Sequence, residues 1–183
     1  MTDLRIGGSA GFTFPTLSNA EVLKMLGNPR APEWVVEKTG IKGHSLNIDP
    51  CTKKKRIPNV TALNYAEWVA RQALDDARLD PSEVDQLVLC TCTPAQQLFW
   101  ADVIELHRRL GLKKQTRILE VPGGCAALAQ AFHQVELECR GKDSWNALVV
   151  AANDTISYLD LERYRRVKGA WLSFMVFADG AAA

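Results

Sequence analysis

The chain has 183 residues, a net charge of +1, 23% charged residues and 47% apolar ones, which is the balance of one soluble globular domain with a substantial core. So small a net charge gives no reason to expect nucleic acid or a membrane surface as a partner, and no run of about 18 apolar residues is present to cross a bilayer. The start, Met1-Thr2-Asp3-Leu4-Arg5, lacks the charged-then-apolar design of a secretion signal, and the five cysteines, odd in number and without metal-type pairs, suit a reducing cytoplasm.

In chain order, Leu4 to Ala10 reads as a first strand, ended by the Gly-Phe-Thr-Phe-Pro loop at 11–15. Ser18-Asn19-Ala20-Glu21 has the capping-box pattern and predicts a short helix to Leu26, with Gly27 behind it. Pro32 opens a second short helix over Glu33–Lys38, stopped by Gly40. A loop carrying Lys53-Lys54-Lys55-Arg56 follows, punctuated by Pro50 and Pro58. From Thr61 to Arg78 the apolar positions Leu63, Ala66, Val69, Ala70, Ala73, Leu74 and Ala77 recur at helical period. Gln86 to Cys92 is a nearly continuous apolar strand, of the kind covered on both faces in a parallel sheet. A helix from Ala101 to Leu110, a strand at Arg117–Val121 and an apolar strand at Ala147–Ala152 come next. A final strand is predicted over Ser173–Phe177, running into Asp179-Gly180-Ala181-Ala182-Ala183. Strand, helix, strand, helix, strand at these spacings implies right-handed βαβ crossovers and an α/β layered sandwich, one βαβαβ half with a mixed, mostly parallel sheet. The abrupt end on small residues reads as a truncation.

The stretch that organises the rest is Val-Pro-Gly-Gly-Cys-Ala-Ala-Leu at 121–128. Gly123 and Gly124 permit a sharp reversal after the 117–121 strand. Leu128, Ala131, Phe132, Val135 and Cys139 then recur at helical period, with Gly141 as a left-handed cap. Cys125 therefore falls at the first turn of a helix, where unpaired N–H groups and the positive dipole end suit a sulfur nucleophile. The alternative is a small cysteine packed under a turn.

Other features read mainly as structure. Cys90 and Cys92, two apart on a strand, face one side and read as core packing, with no further metal ligands beside them. Lys53–Arg56 reads as a solvated loop or as a docking site for phosphates or an acidic carrier protein, and Arg163, Arg165, Arg166 and Lys168 share that ambiguity. Asp179-Gly180 reads as a strand-end turn or as a catalytic carboxylate with a flexible neighbour.

Four stretches in order give the chain a family resemblance: Glu33-Trp34-Val35-Val36-Glu37-Lys38-Thr39-Gly40-Ile41, Val84–Thr91, Gly124-Cys125-Ala126-Ala127-Leu128 and Phe177-Ala178-Asp179-Gly180-Ala181. They resemble the N-terminal half of thiolase-fold enzymes of the β-ketoacyl-ACP synthase III (FabH-like) group, with residues 1–183 as that half. The resemblance implies Cys125 as the acylated nucleophile, Trp34 stacked on the adenine of coenzyme A, Lys38 holding that nucleotide, and Phe99 reaching across a dimer to the partner's acyl tunnel. It implies no permanently bound cofactor, with coenzyme A or phosphopantetheine as substrate carrier. Implied partners are acyl-CoA or an acyl carrier protein and a second thiolase-fold chain, the same or homologous, in the cytoplasm.

The chain departs from the family in having Lys42-Gly43-His44-Ser45 where arginine-rich sequence is common, and Trp100 where proline is usual. The altered loop at 42–58 favours specialised metabolism over primary fatty-acid synthesis. The family's catalytic histidine and asparagine belong to a C-terminal half, and His44, His107 and His133 do not match them. The implied reaction is acyl transfer or condensation through a Cys125 thioester, joining the acyl group to a malonyl- or β-ketoacyl-type thioester. Two alternatives stay open: an acyltransferase forming an ester or amide, and an assisting subunit of a ketosynthase heterodimer. A half standing alone is expected to leave the Cys125 helix face and its sheet layer uncovered.

Overall fold

Alternating helical and extended segments sort the chain into two compact units in a computed structural model that describes residues 4–95, 101–159, 167 and 169–183. The first unit runs through Phe12, resumes over Thr61–Asn153 and takes back Ala181–Ala183; the second holds Thr13–Val60 and Asp154–Gly180. Phe99, Trp100, Arg163, Arg165, Arg166 and Lys168 lie outside the described residues.

The first unit is built on a five-stranded sheet in the order β1-β7-β6-β4-β5, where β1 is Gly11–Thr13, β4 Gln86–Cys90, β5 Arg117–Val121, β6 Ala147–Asn153 and β7 Gly180–Ala182. β4 pairs parallel with β5 on one side and β6 on the other, Val88 standing between Leu119 and Val149. All five β4 residues are buried, and the alternation of side chains sorts them between two cores. Leu87 and Leu89 pack with α3 (Ala62–Ala77) and α4 (Ala101–Leu110), whereas Val88 and Cys90 pack with α5 (Ala127–Cys139). The run is continuous because helices cover both faces. Ala10 and Ala183 exchange both backbone hydrogen bonds, at 2.9 and 3.0 Å, which is an antiparallel pair at the far edge and makes the sheet mixed.

Two predicted strands are corrected. Leu4–Ala10 is not a strand; β1 begins at Gly11, and only Ala10 of the predicted stretch pairs, with Ala183. The reason lies at Gly8, where an added Cβ would sit 2.5 Å from the Ala73 carbonyl oxygen and 2.5 Å from the Ala77 amide nitrogen of α3. This segment rests against a helix backbone, and glycine alone allows the approach. Gly8→Ala is expected to destabilise the fold by about 2 kcal/mol through overpacking, read as a lower urea midpoint at unchanged slope.

The second correction concerns Ser173–Phe177. Phe174 and Met175 are adjacent and both fully buried, which a strand with one covered face does not permit. The segment is instead a 3-10 helix, Ala170–Met175, and the strand β7 falls on Gly180–Ala182.

The second unit packs that 3-10 helix against α1 (Asn19–Leu26) and α2 (Pro32–Thr39), beside the antiparallel pair β2 (Thr16–Ser18) and β3 (Gly43–Ser45). α1 starts and stops as its sequence dictates. The Ser18 hydroxyl accepts from the Glu21 amide at 3.3 Å, the Glu21 carboxylate accepts from the Ser18 amide at 2.8 Å, and Gly27 takes the left-handed cap at φ +65°. Leu17, Val22, Met25, Val35, Leu46, Phe174 and Met175 make its core.

Candidate functional site

In open parallel sheets, ligands bind beyond the carboxyl ends of the strands. In the first unit the opposite ends are committed to structure. Asp85, before β4, accepts from the Asn146 amide at 2.9 Å and from Lys113 Nζ at 2.6 Å, and its own carbonyl accepts from the Arg117 amide at 2.8 Å. The carboxyl ends open onto loops instead, and Cys125 follows the carboxyl end of β5.

Cys125 lies in a 3-10 turn, Gly124–Ala126, between β5 and α5, and its thiol is free and exposed. Gly124 sits at φ +58°, a left-handed conformation that costs an L side chain but not glycine. The Ala126 and Ala127 amides donate to the Gly123 and Gly124 carbonyls, which closes the turn and leads directly into the 13-residue α5. No acidic residue stands in the first turn of α5, so the positive end of the helix is not neutralised there. The cysteine is presented at the helix start, and the packed-cysteine alternative does not hold.

α5 itself is narrower in its burial than its periodicity predicts. Ala127, Ala131, Val135 and Cys139 form a buried stripe, but Leu128 and Phe132 are each 45% exposed. Leu137 of α5 and Ile118 of β5 are exposed as well. The apolar face expected to stand uncovered is therefore present on this helix and this strand.

Trp34 and Lys38 lie on α2 in the second unit, so the implied nucleotide-binding residues and the cysteine belong to different units. Trp34 is half-buried against the second core. Its indole lies 5.7 Å from that of Trp171, and the Arg30 guanidinium stands 4.4 Å from the Trp34 ring centre and 5.4 Å from that of Trp171. Sequence reasoning missed Arg30 and Trp171. The Arg30–Trp34 spacing across the Pro32 helix start was the available signal for the first, and nothing local marks the second. Lys38 is exposed and pairs with the adjacent Glu37 at 2.6 Å, a contact of little worth on an exposed surface. Phe99 lies outside the described residues.

The remaining candidates resolve into structural roles. Cys90 is buried, and burial, with Cys92 adding to it, pushes its thiol up to about 11. Cys92 lies past the end of β4 and is exposed, so the two do not share a strand face. Lys55 donates to the Val60 carbonyl at 2.9 Å and to the Asp154 carboxylate at 2.8 Å, and Arg56 Nε donates to the Ile48 carbonyl at 2.9 Å. Two cations of the loop therefore hold the loop itself, while Lys53 and Lys54 stand exposed. His44 is buried in β3, where its Nε2 donates to Asn19 Oδ1 at 2.7 Å because the Asn19 amide nitrogen is committed to the Ile41 carbonyl at 2.8 Å. Burial lowers the His44 pKa. His107 bonds to the Lys113 carbonyl and His133 lies 3.8 Å from Glu136. Asp179 is buried and accepts two backbone amides, Asn47 at 2.6 Å and Ile156 at 3.1 Å, so it is a fastener inside the second unit.

No protein-family model matches the chain. It is 29% identical over 154 residues to a β-ketoacyl-acyl-carrier-protein synthase III of Chelativorans sp. (strain BNC1), covering 82% of this chain and 41% of that protein. It is 25% identical over 155 residues to the chloroplastic β-ketoacyl-acyl-carrier-protein synthase III B of Cuphea wrightii, covering 85% of this chain and 35% of that one. Among solved structures, the tetronic acid condensing enzyme AbyA1 superposes with a TM-score of 0.78 at 26% identity, over 96% of this chain and 52% of that chain. The 3-oxoacyl-acyl-carrier-protein synthase III of Aquifex aeolicus VF5 superposes with a TM-score of 0.75 at 22% identity, over 96% and 50%. By sequence and by fold, then, the chain is similar to β-ketoacyl-acyl-carrier-protein synthase III proteins, has a thiolase-like α/β fold, and spans between about a third and a half of the length of the proteins it matches.

Proposed function

We propose that the chain presents the cysteine nucleophile of a ketosynthase-type condensing enzyme in fatty-acid or polyketide-like synthesis, as the N-terminal half of its catalytic machinery. The observation that carries this reading is the exposed Cys125 thiol in the Gly124 turn at the carboxyl end of a parallel strand, leading into α5. The similarity to synthase III proteins and to a tetronic acid condensing enzyme supports it.

The Cys125 sulfur attacks the carbonyl carbon of an acyl thioester. A new C–S bond forms, the bond to the coenzyme A or carrier sulfur breaks, and the leaving thiol takes up the proton that the Cys125 thiol gives away. Each donor to the oxyanion of the tetrahedral intermediate is worth about 3 kcal/mol, and the Cys125 amide supplies one. The acyl group then passes to the α-carbon of a malonyl- or β-ketoacyl-type thioester: that carbon loses CO2 or a proton, its electron pair forms the new C–C bond, and the acyl–sulfur bond breaks to return the Cys125 thiolate. The general acid–base groups for that second step come from a C-terminal half, in keeping with the share of its relatives that the chain spans. Trp34 stacks on the adenine of coenzyme A and Lys38 holds its nucleotide. No cofactor is held permanently, the partners are acyl-CoA or an acyl carrier protein and a second thiolase-fold chain, and the reaction takes place in the cytoplasm.

Intact-mass measurement after incubation with a short acyl-CoA is the test. One acyl group is expected to add, to be released by neutral hydroxylamine as a thioester is, and to map by peptide mass to Cys125. No adduct, or an adduct on another of the five cysteines, overturns the proposal.

A further inference from the structure

The net charge of +1 conceals two opposite ones. The first unit carries ten Lys and Arg against thirteen Asp and Glu, a formal charge of −3, and the second carries twelve against eight, a formal charge of +4. The first unit also commits its cations: at least seven of the ten face a carboxylate. In the second, Lys38 and Lys55 do so, whereas Lys24, Lys42, Lys53 and Lys54 are exposed and face none among the described residues. An unpaired surface excess of one sign is what a partner of the other sign requires.

Two of these lysines stand side by side on a built turn. The Asp49 carboxylate accepts from the Cys51 and Thr52 amides at 2.9 and 2.7 Å, the Lys53 amide donates to the Asp49 carbonyl at 2.8 Å, and the Asp49 amide donates to the Lys54 carbonyl at 2.9 Å. Asn47 holds Ile57 behind the turn, accepting from its amide at 2.9 Å and donating to its carbonyl at 3.1 Å. The carboxylate of the loop is therefore committed to the turn and not to the lysines. Lys53 stands at φ +58°, where a side chain is strained and glycine is not. A charged side chain kept at such a position, and exposed, points to use rather than packing. Residues 51–58 include no aromatic side chain on which a nucleic-acid base could stack. Lysine heads are point charges on flexible stems and lack the planar fork that grips one phosphate, so they suit separate carboxylates spread over a protein surface. We infer that the turn at 49–54 docks an acidic carrier protein, with Lys53 and Lys54 meeting carboxylates on it. This rests on the reading of the chain as part of a condensing enzyme that takes a carrier-bound thioester, and it gives that carrier a place to dock.

The test is calorimetric binding of the full chain to a type II acyl carrier protein bearing an acetylated phosphopantetheine arm. Lys53→Glu combined with Lys54→Glu is expected to weaken binding about tenfold at low salt, and the unaltered protein is expected to lose most of its affinity at high salt, where exposed charges are screened. Lys114→Glu makes the same kind of charge change at an exposed lysine of the first unit and is expected to leave binding unaltered. Lys53→Gly removes one charge and relieves the left-handed strain, so it is expected to weaken binding about twofold to threefold with a melting temperature no lower, which separates lost docking from lost folding. Acetyl transfer from acetyl-CoA to Cys125, which bypasses the carrier, is measured beside it and is expected to be the same in all these variants. If the glutamate variant binds the carrier as the unaltered protein does, the docking surface is overturned, and acylation from acetyl-CoA decides the condensing-enzyme reading by itself. If the lysines instead hold anionic lipid vesicles or an oligonucleotide and the carrier does not bind, the proposal is likewise overturned. Carrier binding that depends on the lysines, with no acyl group reaching Cys125 from either donor, upholds the surface and overturns the condensing-enzyme reading.

Discussion

Cys125→Ser is expected to lower acyl transfer by at least about a thousandfold while leaving the melting temperature unchanged. The first half of that expectation is chemical. The oxygen of serine is a far poorer nucleophile than sulfur at neutral pH, and in covalent catalysis losing the nucleophile removes the whole benefit of splitting one difficult step into two. The second half is structural. The Cys125 side chain is exposed in its turn, and the backbone conformation is set by Gly124 at φ +58°, so replacing sulfur by oxygen perturbs no packing. Cys51, exposed in the loop of the second unit, is the matched control: Cys51→Ser is expected to keep the full rate. Single-turnover release of free thiol from acyl-CoA, which needs only the acylation step, checks both variants. A Cys125→Ser protein that keeps the unaltered rate ends the covalent reading, whatever the fold.

What could be read from the chain before its structure follows the range over which each signal acts. α1 was legible to the residue because its start and stop are written within four positions of each end, in Ser18 with Glu21 and in Gly27. β4 was legible because helices cover both of its faces and its five residues are accordingly all apolar or buried. The Cys125 turn was legible because a pair of glycines between a strand and a helix has few conformations. Ser173–Phe177 misled, since an apolar run carries no period of its own. Its helical form is set by α1 and α2, which receive Phe174 and Met175 from the other end of the chain. β1, β2, β3 and β7 are three residues each, too short for alternation to register. α5 was placed well but its buried face was drawn too wide: Leu128 and Phe132 fit the helical period, yet what lies under the helix is a sheet that reaches only one residue per turn. The site divides in the same way. Cys125 declares itself locally, whereas Trp171 meets Trp34 only because two distant segments build one unit.

Asp179→Asn is expected to destabilise the protein by about 2 kcal/mol at neutral pH, with a deficit that widens on acidification. The two carboxylate oxygens serve two different donors, Oδ2 the Asn47 amide at 2.6 Å and Oδ1 the Ile156 amide at 3.1 Å. An asparagine has one acceptor oxygen, so in either orientation its NH2 group faces one of those amides and leaves a buried donor unpaired, which costs roughly 1–3 kcal/mol. The pH dependence follows from burial. Desolvation raises the Asp179 pKa above its ordinary 3.8, with the neighbouring Asp154 charge adding to it and the backbone amides opposing it. A carboxyl with a raised folded-state pKa is charged at a cost to the fold. That cost is fully present above the folded value and is gone below the unfolded one. The native protein therefore sheds the penalty as pH falls through the folded value toward 3.8, and the asparagine variant has none to shed. Urea unfolding of both proteins across that range isolates the effect of Asp179 together with its coupling to Asp154, because the titrations of carboxylates remote from it cancel in the difference. A gap that narrows on acidification would mean that the two amides outweigh burial and that Asp179 is held ionised in the fold.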